Sequence, residues 1–350
     1  MVERLRKICQ LNGASGDEGR VREFIKSLIH ADEVFTDNLG SLIAFKKGRK
    51  TPEHKIMFAA HMDEVGFIVT GVNDAGLLGF MITNIDEDGF LCFDAVGGIN
   101  PAVALGRGMV LESGELGVVG TKAIHQQSSE ERKKMPDFGE LYIDIGASSR
   151  EEAEKLAPRG SYAYFDADFY EFGDGFVKGK AIDDRAGCLI MMDMINGDPE
   201  YDAWYAFTVQ EEVGTRGAGA AAFTINPDIA IVIETTTACD IAGTSGAKRV
   251  CELGNGAVVS YMDRGTVYDR GLYSLAFETA KANGIPVQAK TLVAGGNDSG
   301  AIHVSMGGVR TCALSVPCRY LHSPSCVIKM SDFEAVKALA ENMLSAVGGL

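Results

Sequence analysis

Four segments of the chain set histidine or carboxylate residues directly after apolar runs or at tight turns. They are AAHMDEVGF, with His61 and Asp63; GKAIDDRAG, with Asp183 and Asp184; TVQEEVGTRGAG, with Glu211 and Glu212; and IVIETTTACD, with Glu234. A fifth, RYLHSPS, supplies His322. Taken singly, each has an ordinary structural explanation. A histidine after a buried strand is more often a satisfied core residue, an Asp-Asp pair serves a turn or a helix N-cap, and Glu234 could be an exposed strand end. Adjacent carboxylates near a core are harder to dismiss, because Glu211 and Glu212 repel each other unless a cation or a proton compensates. Together, the imidazoles of His61 and His322 and the carboxylates of Asp183, Glu212 and Glu234 suit a pair of borderline divalent ions: zinc, cobalt or manganese. Those carboxylates and one hydroxide would balance two such ions, which leaves Glu211 to exchange protons. Asp63, two positions beyond His61, shares its side of an extended chain and can orient a ligating imidazole through its other nitrogen.

Residues so far apart in sequence meet only if a fold gathers them, and the carboxyl ends of strands in an open α/β sheet form such a crevice. The run Lys55 to Ala60 reads as a buried strand that ends at His61. Farther on, AWYAFTV, IAIVI and CALSV alternate with helical stretches such as YSLAFETAKANG, the grammar of a doubly wound mixed sheet. Between about residues 70 and 163 the texture changes to short apolar runs broken by glycine: GLLGFMI, VALGRGMVLESGELGVVG and ELYIDIG. The expected α/β fold is therefore a catalytic domain of residues 1–69 and 164–350 interrupted by a small β-barrel-like domain, 70–163. Three serine–glutamate pairs, Ser15 with Glu18, Ser148 with Glu151 and Ser331 with Glu334, have the spacing of helix capping boxes. His303 and Asp298, near the GGNDSG loop, are weaker candidates for lining a pocket, with turn capping as the plain alternative for the aspartate.

With 350 residues, 46% of them apolar, the chain can fill two cores. A formal net charge of −15 argues against nucleic acid as a partner. No window approaches the ~18 apolar residues of a membrane span, and the charged N-terminus does not read as a secretory signal. The eight scattered cysteines form no C-x-x-C pair, so reduced thiols and a cytoplasmic location are expected.

In their order along the chain, SGDEG, TDNLGSLI, AAHMDEVGFIV, ELYIDIGASS, GKAIDDRAG, VQEEVGTRGA, GGNDSGAIH and RYLHSPS resemble the tetrahedral aminopeptidases. This group of dinuclear-metal exopeptidases includes glutamyl aminopeptidases and members once labelled endoglucanases. The resemblance implies that His61 and Glu234 bind one ion, Glu212 and His322 the other, and Asp183 bridges both. It makes Glu211 the general base and acid, and sets Asp63 behind His61. It also implies a zinc-exopeptidase-like catalytic domain and an inserted domain serving oligomerisation and access control. The expected substrates are peptides with a free N-terminus, and the expected assembly is a tetrahedral homododecamer built from dimers. Three positions depart from the family pattern: Glu234 stands where aspartate is expected, Asn297 where threonine is usual, and RYLHSPS lacks a closing glutamate. The alternatives are a glycosidase, which needs two carboxyl groups but no histidine, and a metal-binding scaffold without catalysis.

Overall fold

The computed structural model describes residues 1–70 and 90–350; the GLLGFMI run lies outside the described residues. The contacts divide the chain into two units: Met1–Asp63, Phe169–Leu321 and Ser325–Leu350 in the first, Glu64–Asp168 with His322–Pro324 in the second.

The first unit is built on an eight-stranded sheet. Numbering its strands alone, these are β1 (Glu33–Thr36), β2 (Leu42–Lys46), β3 (Ile56–His61), β4 (Ala203–Thr208), β5 (Ile229–Thr237), β6 (Ala257–Val259), β7 (Val287–Ala289) and β8 (Arg310–Cys318). Their spatial order is β1-β2-β4-β3-β5-β8-β6-β7. The four central strands β4, β3, β5 and β8 run parallel, while β2 and β6 join them antiparallel, so the sheet is mixed. Every residue of β3 is buried, as a strand covered on both faces requires. Its alternate residues divide between two cores: Ile56, Phe58 and Ala60 pack in the larger, Met57 and Ala59 in the smaller.

Helices α1 (Val2–Cys9), α3 (Ile182–Asn196), α5 (Arg270–Ala282) and α6 (Met330–Gly348) contribute to the larger core. Helix α4 (Arg216–Ile225) covers the other face with Ala218, Ala221, Ala222 and Ile225. Helix α2 (Gly19–Leu28) adds Val21 and Ile25 to the larger core. This is the doubly wound arrangement expected from the alternating strands and helices.

The second unit is a six-stranded antiparallel sheet in the order Phe93–Val96, Gly66–Val69, Tyr162–Phe165, Gly108–Leu111, Leu116–Thr121, Leu141–Asp144. An antiparallel bridge between Leu91 and Ile143 joins the two ends of this order and curls the sheet toward a barrel. Its core is aromatic: Phe67 meets Phe93 and Phe165 edge to face, with ring centroids 5.1 Å apart in each pair.

None of the three serine–glutamate pairs caps a helix as expected. The last helix begins at Met330, before Ser331, without a side-chain cap. In the second unit the cap is one residue later, Ser149 accepting from the Glu152 amide, because Glu152 also receives Ser148. Ser15 lies well before α2, and both it and Glu18 are drawn elsewhere. Six of the eight cysteines are buried. Among the described residues no helix is long and apolar enough to cross a membrane.

Candidate metal centre

The parallel register brings the first side chains together. Thr208 of β4 is the partner of His61 on β3, so the chain leaving β4 delivers Glu211 and Glu212 just beyond His61. On the other flank Val232 of β5 pairs with Ala59, and two residues farther on Glu234 comes level with His61. The GKAIDDRAG segment enters from a separate three-stranded sheet, after the strand Phe176–Gly179.

The result is a crowd of acids around one imidazole. His61 is 2% exposed, and its Nε2 lies 3.5 Å from Asp183 Oδ1 and 3.5 Å from Glu234 Oε1. Its Nδ1 sits 3.0 Å from the Asp63 carbonyl oxygen. A carbonyl only accepts, so Nδ1 carries hydrogen and Nε2 is the atom presented to the acids. Ligand atoms of His61, Glu211 and Glu212 lie within 4.8 Å of one another, as do those of His61, Asp184 and Glu234.

Asp63 holds the frame. It is fully buried, and its carboxylate accepts the amides of Glu211 (3.0 Å) and Glu212 (3.1 Å) and the Ser15 hydroxyl (2.6 Å). Its carboxylate is 3.4 Å from His61 Nδ1, farther than its own carbonyl, so orientation of the ring comes from the backbone at least as much as from the acid. Although burial alone would raise it, bonds to His61, Ser15 and Glu211 hold the Asp63 carboxyl below its usual range. Glu18 accepts the amides of Gly16 and Gln210, the latter in the left-handed region at φ 56°. The serine and glutamate expected to cap a helix instead tie the N-terminal segment to the Glu211–Glu212 turn.

Asp184, which the sequence reading left out of the site, combines two roles. Its Oδ1 accepts the Gly187 amide, the N-cap geometry expected of an Asp-Asp pair, while Oδ2 is buried with no hydrogen-bond partner among the described residues. Glycine at 187 is required: a Cβ there would stand 2.4 Å from Asp184 Oδ2. The Asp183–Asp184 peptide is cis.

The electrostatics show what the arrangement lacks. Burial, then the charges of Glu234, Asp298 and Glu212, push the Glu211 carboxyl up to about 10, against the pull of His61. Glu234 is pushed up to about 8 by burial and by Asp183, again opposed by His61. Glu212 and Asp184 are raised well above the carboxylate range, chiefly by burial. Burial would lower the His61 imidazole, yet Glu234, Asp183 and Asp63 hold it well above its ordinary value. The crowding thus favours the protonated form of these acids. An imidazole and several oxygens in that state fit the donor set of a divalent-metal site.

His322 belongs by its contacts to the second unit, where its Nδ1 lies 3.0 Å from the Gly98 carbonyl. His303 bonds through Nδ1 to the Ser299 carbonyl of its own short helix.

Comparison with known proteins agrees along the whole chain. The model of the M42 glutamyl aminopeptidase family matches residues 40–79 and 77–339. The lysyl aminopeptidase of Pyrococcus furiosus is 33% identical over 353 residues, covering 98% of this chain and 96% of the relative. The TET1 peptidase of Pyrococcus horikoshii, described as assembling into a tetrahedron or a large octahedral shell, is 33% identical with a TM-score of 0.83. That match covers 97% of this chain and 98% of the other. A Thermotoga maritima structure named endoglucanase is 35% identical with a TM-score of 0.78, covering 99% and 98% of the two chains. The glycosidase alternative, which such a name and the carboxyl pairs suggest, yields to the family match and the peptidase relatives. The chain belongs to the M42 glutamyl aminopeptidase family, whose members are hydrolases of peptides.

Proposed function

We propose that this protein removes N-terminal residues from peptides at the acid cluster, with two divalent ions held by His61, Asp183, Glu212, Glu234 and His322. Glu211 carries the proton. The observation that supports this most directly is the crowding of buried carboxyl groups on the single imidazole of His61, with Glu211 pushed up to about 10 among them. Asp183 rather than Asp184 is the better bridging ligand, because Asp184 already commits one oxygen to the Gly187 amide.

Zinc or cobalt is the expected metal, with manganese a further option. Such ions, when bound, polarise a scissile carbonyl and bring the pKa of water to roughly 7. Glu211 then takes the proton of the attacking water and passes it to the leaving amine. Asp63 keeps the Glu211–Glu212 turn in place through the two amides it accepts. The long reach of Glu234, where the family pattern has aspartate, bears on ion spacing and metal choice. The assembly we expect is a tetrahedral dodecamer built from dimers in the cytoplasm, with the inserted unit serving oligomerisation and access.

The test is reconstitution of metal-stripped protein with zinc, cobalt or manganese, assayed on a panel of aminoacyl-p-nitroanilides. Glu211→Gln should keep both ions and lose about 10²–10⁴ in turnover, whereas Glu212→Ala should lose metal. Near-normal turnover in Glu211→Gln, or equal metal loss in both variants, would overturn these roles. Full metal occupancy without cleavage of any unblocked peptide would favour the non-catalytic scaffold.

A further inference from the structure

We propose that Asp298 is an additional positioning residue of the site: bound to the Thr208 hydroxyl, it fixes the strand ends that deliver His61 and the Glu211–Glu212 turn and keeps a buried carboxylate beside them. This rests on the roles proposed above for His61 and Glu211.

Thr208 is the last residue of β4 and the partner of His61 across the β3–β4 ladder, so the two side chains leave the same face of the sheet. Its hydroxyl lies 2.5 Å from Asp298 Oδ2 and 3.3 Å from the Ala60 carbonyl, which precedes His61. One hydroxyl thus links the GGNDSG loop to both strands at the level where they hand over the site residues. Asp298 is 1% exposed, and its Oδ1 is buried with no hydrogen-bond partner among the described residues.

The ordinary explanation for such a residue is a helix cap. Asp298 does precede the short helix Ser299–Ile302, yet its side chain makes no capping bond. A buried carboxylate held by one hydroxyl and making no capping bond is unfavourable unless its surroundings use the charge. Burial pushes the Asp298 carboxyl up to about 6 against the pull of His61 and the Thr208 hydroxyl, Asp63 adds to the rise, and Asp298 acts in turn on Glu211.

The loop is held firmly enough to place that charge. Asn297 donates to the Tyr268 hydroxyl at 3.0 Å and accepts the Ser299 amide at 2.9 Å. Tyr268 in turn donates to Asp263 Oδ2, while Asp263 Oδ1 accepts the amides of Gly265 and Thr266. Asparagine at 297, one of the departures from the family pattern, thereby gains a job in fastening the loop.

The experiment uses the metal-loaded protein and measures kcat, KM, metal content and melting temperature together. Asp298→Asn keeps the shape and an acceptor for Thr208 but removes the charge. It should lower kcat about 10–100-fold, the scale of a displaced catalytic group, with KM, metal content and melting temperature close to wild type. Thr208→Val should lose activity similarly, and Thr208→Ser should recover most of it. Wild-type kcat in Asp298→Asn, losses that follow metal release or unfolding, or Thr208→Ser as impaired as Thr208→Val would each overturn the proposal. If Glu211→Gln is inactive while Asp298→Asn is normal, only the role of Asp298 falls; a normal Glu211→Gln removes the ground beneath both.

Discussion

Arg185 and the acid cluster are neighbours in sequence, and they handle the burial of charge in opposite ways. The guanidinium of Arg185 is fully buried, yet it donates to the carbonyls of Met62 (2.6 Å), Ile8 (2.8 Å), Leu11 (3.2 Å) and Gly13 (3.3 Å). Its fork of donors matches backbone oxygens that helices and turns leave over. Backbone oxygens take four of its five N–H donors. Next to it, Asp184, Glu211, Glu212 and Glu234 face one another, and the charge of His61 acts against the rise of each. A structural charge is completed from within the chain; under the proposed function this cluster is completed by ions from outside.

The contrast can be broken by experiment, and the largest effect should come from the satisfied side. Arg185→Met leaves four carbonyl groups facing an apolar side chain. Breaking a buried charge network of this kind costs about 3–5 kcal/mol, so urea unfolding should show a loss of that size whether or not metal is bound. A loss below about 1 kcal/mol, the scale of a surface pair, would mean that the carbonyls find other donors.

Metal-free protein should lose stability as pH rises. A carboxyl raised in the fold keeps its proton where the unfolded chain has lost it, so it favours the fold at low pH. That advantage fades as pH climbs from the ordinary carboxyl value of about 4.5 through about 8 for Glu234 and about 10 for Glu211. The melting temperature of stripped protein should therefore fall between mildly acidic and alkaline pH. The same scan with saturating zinc should be flatter, because the ions replace the protons. A flat profile without metal would show that the acids are not mutually strained.

Glu234→Gln sharpens the point with a change of sign. At alkaline pH it removes one repelling charge, so stripped protein should melt a few degrees higher, roughly 1 kcal/mol for a domain of this size. In metal titrations the same variant should bind ions more weakly. Gains or losses in both states would contradict the comparison. The smallest effect is expected for Ser15→Ala, which removes one hydrogen bond to Asp63, about 1 kcal/mol, and should reduce turnover only a few-fold.

Much of the central architecture was readable before any coordinates. AWYAFTV and IAIVI are β4 and β5, and their apolar runs mark strands buried on both faces. The positions of Glu211, Glu212 and Glu234 just after or near the ends of such strands were readable for the same reason. What escaped was any bond whose partner is remote in sequence. Ser15 and Glu18 have the local spacing of a capping box, but a fully buried Asp63 carboxylate and the Gln210 amide compete for them and win. Asp184 was passed over because its role as a cap and its place beside His61 look the same in a dipeptide. Thr208 gave no signal at all, since a threonine at a strand end is unremarked until Asp298 is found against it.

The order of strands has a consequence for synthesis of the protein. β3 is flanked by β4 and β5, both of which leave the ribosome only after the whole continuous stretch Glu64–Asp168. The second unit can thus complete nearly all its own pairings while His61 still waits for neighbours, as nonlocal parallel pairing delays folding. A nascent chain halted before Glu234 would lack part of the proposed ion cage, so the capacity to cut peptides would arise only late in translation.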